Sequence, residues 1–369
     1  MNLRDRLGLR PAQAMTAWVL VAAIGGFSGV FAMLLCAYLI SFGGEDEANK
    51  HGISSVDAFR VGGVAIVAYV FLYVLYQTQG GRVDLASLNW ALIIPAVAFF
   101  FVGLFEDLYA SLSSARRFSL MLVIGIGVLS LYPQLILTGS GVVAVDWLTS
   151  TALSAIVFTA ICLAFIPNAF NTADGANGLL SGVTVLALFG LSFAVPEADA
   201  LLVRTVIVGT MVFMVFNLIS GRFFLGDGGA YFLGALCGAV LIVTANQTDV
   251  STWWMLSLIF YPVADLIWSI GRRVLTGASP LAPDNQHFHN LVFSLLREGD
   301  ARAKVANTVT GIAIALGFSG IPLALQLLSV IPTTGDGWQL VVLVQWLAYG
   351  LGWYLLSKRV CSLPDVRQA

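Results

Sequence analysis

Eleven stretches of predominantly apolar residues, each approaching or exceeding the roughly 20 that a helix needs to cross the hydrocarbon layer, recur along this chain. Their approximate bounds are 18–42, 61–77, 87–105, 118–137, 147–167, 178–195, 201–219, 229–245, 252–271, 304–330 and 339–357. A soluble domain carries roughly 25% charged residues, whereas this chain has 10% charged and 59% hydrophobic residues. Its mean hydropathy is +0.90. Bilayer is therefore the solvent. The expected fold is all-α, a polytopic bundle of about 10–11 transmembrane helices. It is read as one integral membrane domain over 1–369, with a motif-bearing core at about 50–290. The weakest candidates are 61–77, which is short, and 178–195, which is open to a tilted or partly re-entrant reading as well as a spanning one.

Arg4, Arg6 and Arg10 precede the first stretch in the manner of a signal peptide, but 18–42 is too long for a signal's 7–15-residue apolar region. It reads as the first membrane helix. The formal net charge of -2 gives no global basic field for nucleic acid. Cys36, Cys162, Cys237 and Cys361 are far apart, and the first three sit in apolar runs, where cysteine is a small packing residue. Neither a disulfide nor a zinc site is expected.

Lysine and arginine favour the cytoplasmic side of membrane proteins. With the N-terminus outside, the odd-numbered loops and the C-terminus hold thirteen of the 18 lysines and arginines. The same loops hold nearly every polar cluster: Lys50–Gly63, Glu106–Arg117, Asn168–Gly178, Arg222–Gly229 and Arg272–Lys304. Five polar loops on one face look like the parts of a single site.

The densest cluster is Asn171, Asp174 and Asn177 within 167–178. A spacing of three puts such side chains along one side of a helical turn. An isolated pair would read as a helix cap; three at the mouth of an apolar helix are costly unless they meet ions, ligand or water. Next, Gly226-Asp227-Gly228-Gly229 opens an apolar helix, where backbone N–H groups bind phosphate well. An aspartate there opposes a bare anion unless a divalent cation lies between them.

Glu106-Asp107 form an acid pair followed by Arg116 and Arg117, whose guanidinium groups suit a lipid phosphate. Pro262-Val263-Ala264-Asp265 lies in a later apolar helix, ahead of Asp284, His287 and His289. No cysteine or further close histidine completes a zinc set there, so imidazoles donating to phosphate are the better reading. Asp265 is equally well read as the partner of a neighbouring arginine.

Taken in this order, these segments resemble the polyprenyl-phosphate N-acetylhexosamine-1-phosphate transferase family, which includes the peptidoglycan translocase. The resemblance runs from about Lys50 to His289 and takes in Gly62-Gly63-Val64-Ala65-Ile66. It implies that a polyprenyl phosphate oxygen attacks the β-phosphorus of a UDP-N-acetylhexosamine, with Mg2+ (or Mn2+) present, and that UMP leaves. It further implies that Asn171 and Asp227 hold or support the metal and that Asn177 hydrogen-bonds uracil. Glu106 and Asp107 occupy the family's aspartate pair, with Asp107 orienting or deprotonating the lipid phosphate; Asp174 is grouped with them as catalytic. Arg116 stands where a basic residue contacts phosphate. His287 and His289 belong to the loop that binds diphosphate and sugar, and Asp284, Lys50 and His51 complete the candidate substrate contacts.

Two positions depart from the family pattern. Glu106 replaces the commoner Asp, and Asn290 stands where many members carry another histidine. The second makes the peptidoglycan translocase, with its contiguous histidine triplet, a poor match.

The implied partners are undecaprenyl phosphate, a UDP-N-acetylhexosamine (GlcNAc or a modified relative), the lipid bilayer and a second copy of the chain as a homodimer. The implied setting is a bacterial inner membrane, with the site toward the cytoplasm, at the first membrane step of cell-surface glycan synthesis. The alternative reading is a transporter or flippase for an anionic lipid-linked or nucleotide substrate.

Overall fold

The computed structural model describes residues 60, 62–79, 84, 88–221, 223–280, 284–298 and 302–361. Lys50, His51 and the apolar stretch at 18–42 lie outside the described residues. Every regular element among the described residues is a helix, and eight are long and apolar enough to cross a membrane. These are α1 (Gly62–Gln79), α2 (Trp90–Tyr109), α3 (Ser114–Leu131), α4 (Ala152–Ala173), α6 (Glu197–Ser220), α7 (Gly226–Gln247), α11 (Ala303–Leu327) and α12 (Trp338–Cys361, apolar to Val360). The chain is thus an all-α polytopic membrane protein.

The two remaining apolar stretches take other forms. Residues 178–195 yield α5 (Leu179–Leu191), whose 13 residues span about 20 Å at 1.5 Å per residue, well short of a hydrocarbon core of about 30 Å. Residues 252–271 become α8 (Thr252–Leu258) and α9 (Phe260–Leu275), bent by 82° at Ile259. Pro262 explains the break: it has no N–H for the carbonyl of Leu258, where α8 ends, and its ring crowds that carbonyl. Beyond α9 comes α10 (Phe288–Glu298), and α11 contains a π-helical turn over Leu316–Gly320.

Burial ranks these helices. In α7, 94% of the spanning window is enclosed by protein, against 17% in α12 and 22% in α3. So α7 is the central post and the other two are largely outward-facing. Its neighbours are α1, α2 and α4. Apolar burial does not drive helix association in lipid, so small residues that let backbones touch are the main device. A Cβ on Gly103 of α2 would overlap the Asp227–Gly228 peptide of α7, and one on Gly63 of α1 would overlap the backbone of Gly229. Hydrogen bonds from Gly62 N–H and Gly63 N–H to the carbonyls of Phe224 and Leu225 (3.0 and 2.9 Å) fasten α1 to the entry of α7.

Local caps close helix ends at both sides of the bundle. Asn89 caps α2 through the Ala91 N–H, Ser113 caps α3 through that of Arg116, and Thr151 with Ser154 forms a capping box on α4. The C-terminal ends of α2, α4 and α6 meet the N-terminal ends of α1, α3 and α7. Overpacking costs about 1–3 kcal/mol or more, so Gly103→Val should lower unfolding stability in detergent by at least that amount. A variant as stable as the wild type would show that α2 and α7 do not touch at this point.

Candidate active site

The site begins where Asp107, near the end of α2, meets the start of α7. The residue before α7, Leu225, has no side chain able to cap. Asp107 supplies the cap from another helix: its Oδ1 accepts from Asp227 N–H at 3.0 Å and its Oδ2 from Gly228 N–H at 2.9 Å. A carboxylate is well placed there, since the first N–H groups of a helix lack internal partners and carry positive partial charge. Arg60 Nη1 stands 3.7 Å from the same carboxylate. On the next residue of α7 the pattern repeats with opposite order, as the Arg117 guanidinium of α3 forms an ion pair with Asp227. Two acids and two arginines therefore alternate across the junction of α1, α2, α3 and α7.

Asp174 closes α4 as its C-cap, with φ -79° and ψ 46°. Burial of its carboxyl pushes the pKa up to about 7, the repulsion of Asp227 and Asp107 adds to this, and Arg60 opposes it. Asn171, one turn earlier on α4, donates to the Tyr231 hydroxyl of α7 at 3.4 Å. Glu106 turns away from the junction: its Oε2 accepts from Leu112 N–H at 2.9 Å and holds the α2–α3 turn.

The helical-turn geometry expected for Asn171, Asp174 and Asn177 stops at Asp174. The chain leaves the helix there, and Gly178 adopts a left-handed φ of 76° before α5 begins. Asn177 is consequently 3% exposed. Its Oδ1 accepts from Asn217 of α6 at 3.4 Å, and its backbone N–H donates to Asn307 of α11 at 2.5 Å. Asn217 also accepts from Gly178 N–H at 2.7 Å. Three asparagines thus brace the loop that carries Asp174. Arg116 is exposed beyond the capped turn, so the arginine at the junction is Arg117.

The histidines approach from α9 and α10. His287 Nδ1 donates to Asp265 Oδ2 at 2.7 Å, and Phe288 N–H to Asp265 Oδ1 at 3.0 Å. Asp265 therefore serves the histidine rather than an arginine. His289 is 2% exposed and shares a 2.9 Å hydrogen bond with the Tyr261 hydroxyl. A Cβ on residue 175 would overlap His289 Nε2, so Gly175 is what lets this imidazole lie against the residue next to Asp174. The rings of His287 and His289 are stacked with centroids 5.6 Å apart.

Burial alone would lower the His287 pKa, but the Asp265 carboxylate outweighs it and the net shift is upward. His289 has no such bonded partner, and burial takes it down to about 4. Asp284 also feels burial, yet the Ser269 hydroxyl, Gln286 N–H, His287 and Arg272 hold it down at about 2. It is paired with Arg272 and Arg273 and anchors the loop.

Among the described residues no three acidic, histidine or cysteine side chains converge closely enough to encage a metal ion. A Mg2+ ion takes one or two carboxylates plus substrate phosphates rather than an all-protein cage. Asp174 and Asp227 are the carboxylates not occupied in capping a helix, and Asn171 adds an amide oxygen nearby on α4. The sequence offers no sign of Tyr231, Tyr261, Asn217 or Asn307, and it counts Arg60 only among the charges of the Lys50–Gly63 loop.

An unfolded aspartate titrates at 3.8, so between that value and about 7 the folded state holds more protons. Stability must then fall as pH rises through this window. Without divalent cations, Asp174→Asn should abolish that part of the pH slope of the melting temperature and stabilise the protein above pH 7. Equal slopes in variant and wild type would show that Asp174 ionises normally.

Residues 89–245, which span the α2-to-α7 half of this junction, match glycosyl transferase family 4. The undecaprenyl-phosphate alpha-N-acetylglucosaminyl 1-phosphate transferase of Escherichia coli (strain K12) is 24% identical over 317 residues, 79% of this chain and 82% of the relative. The protein of that name from Yersinia pestis is 26% identical over 308 residues, 80% and 81% of the two chains. The phospho-N-acetylmuramoyl-pentapeptide-transferase of Prochlorococcus marinus (strain MIT 9301) is 22% identical over 309 residues, 77% and 82%. Through the segment that builds its acidic junction, the chain is similar to glycosyl transferase family 4, and over most of its length it is similar to relatives named as undecaprenyl-phosphate alpha-N-acetylglucosaminyl 1-phosphate transferases.

Proposed function

We propose that the protein transfers a sugar 1-phosphate from a UDP-N-acetylhexosamine, GlcNAc or a modified relative, to undecaprenyl phosphate and releases UMP. The observation that carries this reading is the alternation of Asp107, Asp227 and Asp174 with Arg60 and Arg117 at the ends of five apolar helices. Such an array meets two anionic substrates at the rim of a bilayer, one soluble and one lipid-anchored. A lipid phosphate monoester has a second pKa near 6, so it is largely ready to attack at neutral pH. Orientation and charge compensation are then the main tasks.

In this reading an oxygen of the lipid phosphate bonds to the β-phosphorus, and the bond from that phosphorus to the α–β bridging oxygen breaks, leaving UMP. The sugar C1–O bond stays intact, so the anomeric configuration is kept. Asp227, Asp174 and Asn171 would hold Mg2+, which when bound supplies charge neutralisation to the diphosphate. Arg117 positions Asp227, and Arg60 compensates Asp107 where the lipid phosphate enters. Asp107 fixes the start of α7 and thereby the direction of Asp227. Asn177, through Asn217 and Asn307, shapes the loop beside the nucleotide. Placement in a bacterial inner membrane with this face toward the cytoplasm, assembly as a homodimer, and a role at the first step of cell-surface glycan synthesis belong to the same proposal.

Purified protein in nanodiscs with Mg2+, undecaprenyl phosphate and a panel of UDP-sugars should release UMP, and chelation of divalent cations should stop it. Asp227→Ala and Arg117→Ala should each lower the rate by about 100-fold or more, the scale of removing one charge-stabilising group. Arg116→Ala should stay near the wild-type rate. Wild-type turnover by Asp227→Ala would remove the metal assignment. Flux of substrate across sealed vesicles without UMP would favour the transporter reading.

A further inference from the structure

The last membrane helix, α12, lies outside the family-matched segment 89–245, yet it is built into the histidine loop. Tyr349, at its middle, is 1% exposed, and its hydroxyl donates to Asp265 Oδ1 at 2.7 Å. One turn on, Trp353 Nε1 donates to the Gln286 carbonyl at 2.9 Å. Phe288, between the two histidines, stacks on the Tyr349 ring with centroids 5.1 Å apart.

The side chain of Asp265 is 1% exposed, so it has no access to water. A buried carboxylate is tolerable only when its lone pairs are met by donors. Here Oδ2 takes His287 Nδ1, while Oδ1 takes both Phe288 N–H and the Tyr349 hydroxyl. Those donors come from the loop, from α10 and from α12. His287 is therefore tied through one ring nitrogen, and Nε2 is the edge left to meet a ligand. His289, stacked against it, is tied by a phenol instead and leans on Gly175 beside Asp174. The two imidazoles share one stack, but only His287 has a carboxylate behind it.

We propose that Tyr349 and Asp265 are positioning residues that hold the His287 ring so that its Nε2–H donates to the diphosphate of the sugar nucleotide. This rests on the transferase reading of the same site. The charges facing His287 agree with it: Asp265 and Asp284 are anionic neighbours, and Arg273 is the cation that opposes them. It also assigns a task to α12 beyond spanning the bilayer. The helix completes the second coordination layer of a loop that starts some 60 residues before it.

The test uses the full chain in nanodiscs, with UMP release measured while UDP-GlcNAc is varied. Tyr349→Phe removes one hydrogen bond and keeps the ring stacked on Phe288. It should raise KM for UDP-GlcNAc by about tenfold, the upper range for one such bond, with kcat and melting temperature nearly unchanged. In a His287→Ala background the same change should cost less than about twofold, because residues acting through one another are not additive. Equal losses in both backgrounds, or none in either, would overturn the positioning role.

A second readout does not depend on turnover. The chain has 3 histidines, so 15N-imidazole resonances can follow His287 individually. Asp265→Asn should lower its titration midpoint by at least about one pH unit, the effect of losing a directly bonded carboxylate. An unmoved midpoint would also overturn the proposal. Should the wild type release no UMP from any UDP-sugar, the transferase reading fails; a shifted midpoint would still support the Asp265–His287 arrangement, leaving its ligand open to reassignment.

Discussion

Two peptide N–H groups at the start of α7, taken by a carboxylate from α2, fix the rest of the site. A helix entering the polar end of an apolar bundle must satisfy its first N–H groups locally or leave them to water. Here Asp107 does so, and the two helices approach closely enough for this only because Gly103 has no side chain. The cap in turn directs Asp227 toward Arg117 and places Asp174, from the end of α4, within electrostatic reach of both acids. Packing of small residues and pairing of charges are here one arrangement: the glycines set the distances over which the carboxylates act.

Such an arrangement gathers anions where anions are to be bound, and its logic lies in the counter-charges. Arg60 and Arg117 each stand beside one acid, and Asp174 is left to share a proton or a cation with its neighbours. The histidine loop follows a different principle, since its charge is kept by a deeply buried carboxylate surrounded with donors. One half of the site is thus tuned by half-buried arginines, the other by hydrogen bonds inside the protein.

The lengths of the apolar stretches made the all-helical membrane fold legible, and the parity of the loops showed that the polar clusters share one end. What the pattern could not show was depth. Residues 178–195 are apolar enough to span, but α5 ends after 13 residues, and most of it is buried in the protein. The bend at Ile259 depends on one proline whose effect differs between a kink and a break. Arg116 and Arg117 are adjacent in sequence, and only the helix phase after the Ser113 cap decides which faces Asp227. The one-sided array expected of Asn171, Asp174 and Asn177 assumes that the helix continues through all three, whereas the chain leaves it at Asp174. Tyr261 and Tyr349 sit within apolar runs, where a tyrosine reads as membrane packing until its hydroxyl partner is seen.

The near-complete enclosure of α7 bears on how the chain is assembled in a membrane. Its three closest neighbours, α1, α2 and α4, all precede it in the sequence, as do Arg60, Asp107 and Arg117. During synthesis the seat is therefore complete before its occupant leaves the ribosome. A segment opening with Gly226-Asp227-Gly228-Gly229 meets a prepared polar socket rather than bare lipid, and α8 through α12 then close the far wall.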